Sequence, residues 1–244
     1  MTQPIVQRMN YHPDPRAVSS SDRKVKSRLD FILSKVNFEN KVVLDLGCSG
    51  GFFSFELAKI AKKVVAIDGD PEVIKRNREL QRELGINNIE FICSPISAEL
   101  IADVGNVDVT LLLSVFHHML TMSDAYDWNN TVDLEHRNQM LSALNETTSC
   151  LVFEMGEVNE GYEWCERMPA LSADNDYYVH NEIFKKNYKD ISVFDGPVNV
   201  NLINRYLISK LSQNFKEDSR MVSILKRLFG FDARDLRKIY IGRR

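Results

Sequence analysis

The chain has 244 residues, 44% of them hydrophobic, with 31 Lys and Arg against 34 Asp and Glu for a net charge of −3. That length suits one α/β domain with a small addition, and the charge balance gives no global basic footprint for nucleic acid, which makes a nucleic-acid partner unlikely. No apolar run is long enough to span a bilayer, the N-terminus lacks a signal-peptide core, and Cys48, Cys93, Cys150 and Cys165 show no C-x-x-C spacing, so reduced thiols in a cytoplasmic protein are expected.

Residues 1–20 are polar and carry Pro4, Pro13 and Pro15, which predicts an irregular start. Tyr11, His12 and Arg16 are candidates for a lid over a ligand; a partly mobile terminus is the other reading. Ser21 suits the N-cap of a helix over 22–36, where Val25, Leu29, Ile32, Leu33 and Val36 recur at helical spacing. Residues 37–40 form the loop into the first strand.

The stretch 42–55 organises the rest. Val42, Val43, Leu44 and Leu46 make a short apolar run of the kind buried on both faces of a parallel sheet. Gly47, Gly50 and Gly51 then let the backbone turn sharply, and an apolar helix follows over 52–60. A strand, a glycine turn and a helix N-terminus make a cradle for a cofactor, because backbone N–H groups point outward there. The nicotinamide fingerprint G-x-G-x-x-G fails at Ser49 and at Phe52. The pattern that fits is Asp-x-Gly-x-(Gly/Ser)-x-Gly, filled by Asp45, Gly47, Ser49 and Gly51. This resembles motif I of the class I methyltransferases that use S-adenosyl-L-methionine (SAM). The resemblance implies SAM as cofactor, with Asp45 facing the amino group of its methionine moiety.

A second buried strand, 63–68, ends in Asp68. An acid about twenty residues beyond a glycine turn suits the two vicinal hydroxyls of a ribose. Asp70 is the better cap for the helix that Pro71 opens, and Gly85 closes that helix. Residues 89–93 form a third strand. Many methyltransferases carry an Asp after it that holds the adenine amino group; here the stretch is Cys-Ser-Pro-Ile-Ser, 93–97, with no carboxylate. Ser94, Ser97 or the backbone of Ile96 are the candidates to replace it. The three cysteines at 48, 93 and 150 lie in or beside strand-like runs and read as small buried packing residues.

The fourth strand, 107–113, leads into Ser114, His117 and His118. Ligands of an open α/β sheet bind beyond the carboxyl ends of its strands, so these three are expected in the same crevice as Gly47 and Asp68. One histidine is expected near the reacting atoms, the other structural, with no metal site because no third ligand is nearby. A polar insert around Trp128 and a helix over 132–145 come next. The fifth strand, 149–155, carries Glu154 at its carboxyl end. Residues 161–178 are aromatic and irregular, with Tyr162, Trp164 and Arg167, and read as a substrate lid or an anchored surface loop. A short helix over 181–187 and two final strands, 190–194 and 203–209, complete the pattern. The fold expected is α/β: a Rossmann-like, seven-stranded, mostly parallel sheet with helices on both faces, occupying residues 1–210. The tail, 211–244, reads as a basic helical extension, packed back on the domain or docked on a membrane surface or enzyme partner.

Four stretches together, Leu44–Ser54, Leu113–His118, Phe153–Met155 with Trp164 after it, and Tyr206–Ser209, are similar in order and character to the methyltransferase domain of bacterial O-antigen chain terminators. The resemblance implies O-methylation of a glycan terminus, a sugar or a sugar phosphate. Neither the kinase nor the coiled coil of those terminators is expected within these 244 residues. An acceptor hydroxyl needs a base, for which His117 or His118 is favoured over Glu154. A phosphate acceptor needs cations such as Arg167 or Arg205 instead. A small-molecule O- or N-methyltransferase of secondary metabolism and a SAM-binding partner subunit without turnover are the alternatives.

Overall fold

Short apolar runs closed by turns become the strands of one sheet. The computed structural model describes residues 22–116, 131–154, 184, 188–194 and 238–244. In chain order these form α1 (Asp22–Lys35), β1 (Val42–Leu46), α2 (Phe52–Ala58), β2 (Lys63–Asp68), α3 (Pro71–Glu83), β3 (Ile89–Cys93), α4 (Ala98–Val104), β4 (Val107–Leu113), α5 (Thr131–Thr147), β5 (Thr148–Glu154), β6 (Asp190–Phe194) and β7 (Ile239–Arg243). The strands make a seven-stranded sheet in the order β3-β2-β1-β4-β5-β7-β6. β1 pairs in parallel with both β2 and β4, and β2 with β3; β6 and β7 pair antiparallel.

The chain divides into two compact units, Met1–Leu113 with Ser142–Leu151, and Ser114–Leu141 with Val152–Arg244. In the first unit, Leu44, Leu46, Ile67 and Leu111 from the strands are fully buried, as are Ile32 of α1, Leu57 of α2, Ile74 of α3 and Ile101 of α4. Such parallel strands are apolar along their length because both faces are covered. Thr110 and Thr148 break the apolar run without cost: their buried hydroxyls bond each other at 2.7 Å. Asp70 caps α3, accepting from the N–H groups of Glu72 and Val73, and Gly85 follows that helix in the left-handed conformation, as the sequence predicts. In the second unit, Phe116, Phe153, Phe184, Tyr188 and Tyr240 form a buried aromatic cluster with ring centroids 5.4–6.3 Å apart.

Two expectations are corrected. The strand that pairs with β6 is β7, at the very end of the chain, so residues 239–243 belong to the sheet and not to a helical extension beyond it. Ile239, Tyr240, Ile241 and Gly242 are buried, and Arg243 pairs with Asp190 across the two strands. The basic residues flanking this short run disguise it as part of an exposed tail. Residues 203–209 and 211–237 lie outside the described residues. Cys93 is exposed: it falls on the same face as buried Ile89 and Phe91 but stands at the carboxyl end of the edge strand β3, past the part of that face that is covered; Cys150 is half-buried, and Cys48 alone of the three is buried.

Candidate cofactor-binding site

The turn after β1 alternates through the left-handed region: Gly47 at φ 72°, Ser49 at φ 48° and Gly51 at φ 77°. Glycine adopts such angles freely, whereas Ser49 does so at a cost of about 1–2 kcal/mol. The surroundings hold it there. Its N–H donates to Asp68 Oδ2 at 2.9 Å, and its carbonyl accepts from Asn77 Nδ2 at 2.7 Å. Gly47 and Cys48 both donate to the Ile67 carbonyl, tying the turn to β2. At Gly51 a side chain would meet Phe55 at 2.9 Å and Asn77 at 3.2 Å, so position and angle both require glycine.

Asp68 is partly buried at the end of β2. Its second oxygen accepts from the Asp70 N–H at 3.0 Å, so each carboxylate oxygen is fixed by one backbone donor. Each oxygen keeps further acceptor capacity for a ligand hydroxyl. Asp45, at the end of β1, is 5% exposed and accepts the Ser54 hydroxyl at 2.6 Å. Burial raises its pKa from 3.8 to about 6; the Ser54 hydrogen bond pulls the other way, and the Asp68 charge adds to the rise. The Cys48 thiol is pushed well up by burial, and further by Asp45 and Asp68. The turn is therefore a glycine cradle with two carboxylates and a neutral thiol, fitted to a ligand that brings hydroxyls and a positive charge.

A family model described as a methyltransferase domain matches residues 37–222. The chain belongs to this methyltransferase domain family. SAM is its cofactor, and the cradle fits it by the donor set just described. Among curated proteins, the chain is 29% identical over 154 residues to the O-antigen chain terminator bifunctional methyltransferase/kinase WbdD of Escherichia coli, covering 60% of this chain and 20% of that protein. It is 36% identical over 94 residues to the 23S rRNA (uracil(1939)-C(5))-methyltransferase RlmD of Shewanella sediminis, covering 38% and 21%. It is 34% identical over 104 residues to phosphoethanolamine N-methyltransferase 1 of Triticum aestivum, covering 42% and 20%. The chain spans about a fifth of the length of these relatives. Its fold is similar to that of crystalline WbdD, with a TM-score of 0.55 at 21% identity over 95% of this chain and 42% of that one.

Within this methyltransferase domain, Ser114 and Glu154 meet each other. Ser114 sits at φ 59°, again left-handed, directly after β4. Its N–H donates to the Glu154 carbonyl at 2.8 Å and its hydroxyl to the Glu154 carboxylate. Glu154 is 2% exposed. The pair pins the backbone just before His117 and His118, and the carboxylate foreseen as a base is engaged by the serine. Ile96 is half-buried in the loop after β3. Ser97 caps α4, its hydroxyl oxygen accepting from the Leu100 N–H at 3.2 Å. His117, His118, Tyr162, Trp164, Arg167, Arg205 and the N-terminal candidate lid lie outside the described residues. Among the described residues no cluster of His, Cys, Asp and Glu could hold a metal ion.

Two buried polar residues escaped the sequence reading. Asn77 stands on the buried face of α3 beside Val73 and Ile74, and Ser54 on that of α2. A polar side chain on an apolar helix stripe was the available signal, since burial without a partner is costly.

Proposed function

We propose that the protein transfers the SAM methyl group to an oxygen of a polar acceptor, a glycan terminus, sugar or sugar phosphate. The observation that carries this reading is the 154-residue similarity to the O-antigen chain terminator of Escherichia coli. SAM supplies an electrophilic methyl on a sulfonium. The chain's own residues align the acceptor with it and exclude water. Asp68, fixed by the Ser49 and Asp70 N–H groups, would take the ribose hydroxyls. Asp45 would take the positively charged amino end. His117 or His118 would draw the proton from an acceptor hydroxyl; for a phosphate acceptor, Arg167 and Arg205 would instead hold the anion.

A small polar acceptor is the second reading, favoured by the similarity to the wheat phosphoethanolamine N-methyltransferase. The similarity to an rRNA methyltransferase favours RNA, against which stands the net charge of −3. The protein should be incubated with methyl-labelled SAM and an extract of its own cell, and the labelled fraction characterised. Label in nuclease-resistant, glycosidase-sensitive material is the expected result. Label lost to nuclease, or found in a small amine, would sink the glycan reading. With the acceptor in hand, a double His117→Ala/His118→Ala variant should lose turnover and its pH dependence if the acceptor is a hydroxyl. Survival of turnover, with Arg167→Ala inactive, selects a phosphate oxygen.

A further inference from the structure

Helix α2 opens with Phe52 and Phe53 and continues with Phe55, yet Ser54 among them is fully buried. A hydroxyl there is costly unless bonded. Its 2.6 Å bond to Asp45 Oδ2 is in the range of charge-assisted O–H···O⁻ contacts. Among the described residues, no cation is found to compensate Asp45. Opposite it in the sheet stand Ala66 of β2 and Leu111 of β4, both buried and apolar. The glycine turn contributes the Cys48 thiol, held neutral, and the end of β2 contributes Asp68, an anion. Helix α2 contributes Ser54.

We propose that Ser54 is a positioning residue for the cofactor: its hydroxyl fixes the Asp45 carboxylate and favours its ionised form, so that the cradle selects a cationic amino end and sheds a proton on binding in mildly acid solution. This rests on the assignment of Asp45 to the amino end of SAM. The proton leaves the neutral Asp45 carboxyl for solvent, and the ligand ammonium replaces it as the group satisfying that site. Without the hydroxyl, the larger of the two Ser54 bonds that lower the titration of Asp45 is lost, while the Ser54 backbone N–H bond, burial and the Asp68 charge remain. The carboxyl would then hold its proton to higher pH.

The test is calorimetric titration of the full chain with S-adenosylhomocysteine, which keeps the amino end and cannot turn over, from mildly acid to mildly alkaline pH in buffers of different ionisation enthalpy. In the wild type, affinity should fall as pH drops through about 6, approaching about tenfold per pH unit, with proton release on binding. Ser54→Ala should weaken neutral binding about tenfold, as expected for loss of a hydrogen bond to a charged group, and move the midpoint upward. Ser54→Thr, which keeps the hydroxyl, should restore the midpoint. Asp45→Asn should bind weakly with no midpoint in this range, and adding Ser54→Ala to it should cost nothing further. If the alanine variant fails to fold, Ser54→Cys, similar in volume but a weak donor, takes its place. An unmoved midpoint in Ser54→Ala, whatever its affinity, overturns the role of Ser54 and leaves that of Asp45 standing. Wild-type affinity without pH dependence, or no wild-type binding at all, overturns both.

Discussion

Asp45 is the residue at which this site conflicts with folding. It is buried, faces a second carboxylate and titrates at about 6, against 3.8 for the unperturbed group. Below the lower value both folded and unfolded chains hold the proton, and Asp45 leaves stability unchanged. As pH rises from 3.8 towards 6 the unfolded chain gives up its proton and the folded chain does not, so stability falls. Above the upper value the loss levels off at about 3 kcal/mol. Urea midpoints of the ligand-free protein should therefore decline across this window relative to Asp45→Asn. Parallel profiles for the two proteins would contradict the burial argument. Asp45 and the glycines were legible because motif I is a local pattern of residue types on a predicted strand end, and Asp68 because it closes the next predicted strand at the spacing of a ribose-binding acid. Ser54 and Asn77 were not, because their partners, Asp45 and the Ser49 carbonyl, lie on other elements and become neighbours only once α2 and α3 pack on the sheet.

At the level of elements, the first half of the sheet follows from pattern. β1, β2 and β4 are apolar runs closed by Gly47, Gly69 and Ser114, and α3 carries both its cap and its terminating glycine in sequence. β7 did not follow, because a five-residue strand is defined by pairing with β6, far earlier in the chain, and not by its own composition. Its Gly242 makes the point physically. A methyl group there would sit 2.6 Å from Phe184 Cε1 and 2.8 Å from Tyr188 Cγ, inside the aromatic cluster. Ring-to-ring packing leaves no room to yield, so Gly242→Ala should destabilise by about 3 kcal/mol or more, at the upper end of overpacking costs. Chemical denaturation measures this directly. A change below about 0.5 kcal/mol, the range of ordinary surface substitutions, would mean that β7 is not packed as described.

For the molecule as a whole, the two compact units divide the candidate residues. Asp45, Gly47, Ser49, Gly51, Asp68 and Asn77 belong to the first unit. The stretches bearing His117, His118, Glu154, Tyr162, Trp164, Arg167 and Arg205 belong to the second. Under the proposed roles, the residues for the cofactor and those for the acceptor come from different parts of the chain, an arrangement that suits one cofactor cradle to different acceptors. Ser114, expected at the cofactor, falls in the second unit, where it bonds Glu154 directly ahead of the stretch that bears the histidines. The most direct test is S-adenosylhomocysteine affinity at neutral pH for Asp68→Asn and for His117→Ala/His118→Ala. Asp68→Asn should bind at least about tenfold more weakly, since a charged hydrogen-bond acceptor is lost, while the double histidine variant should bind like the wild type. Unchanged affinity in Asp68→Asn, or a comparable loss in the histidine variant, would contradict the account.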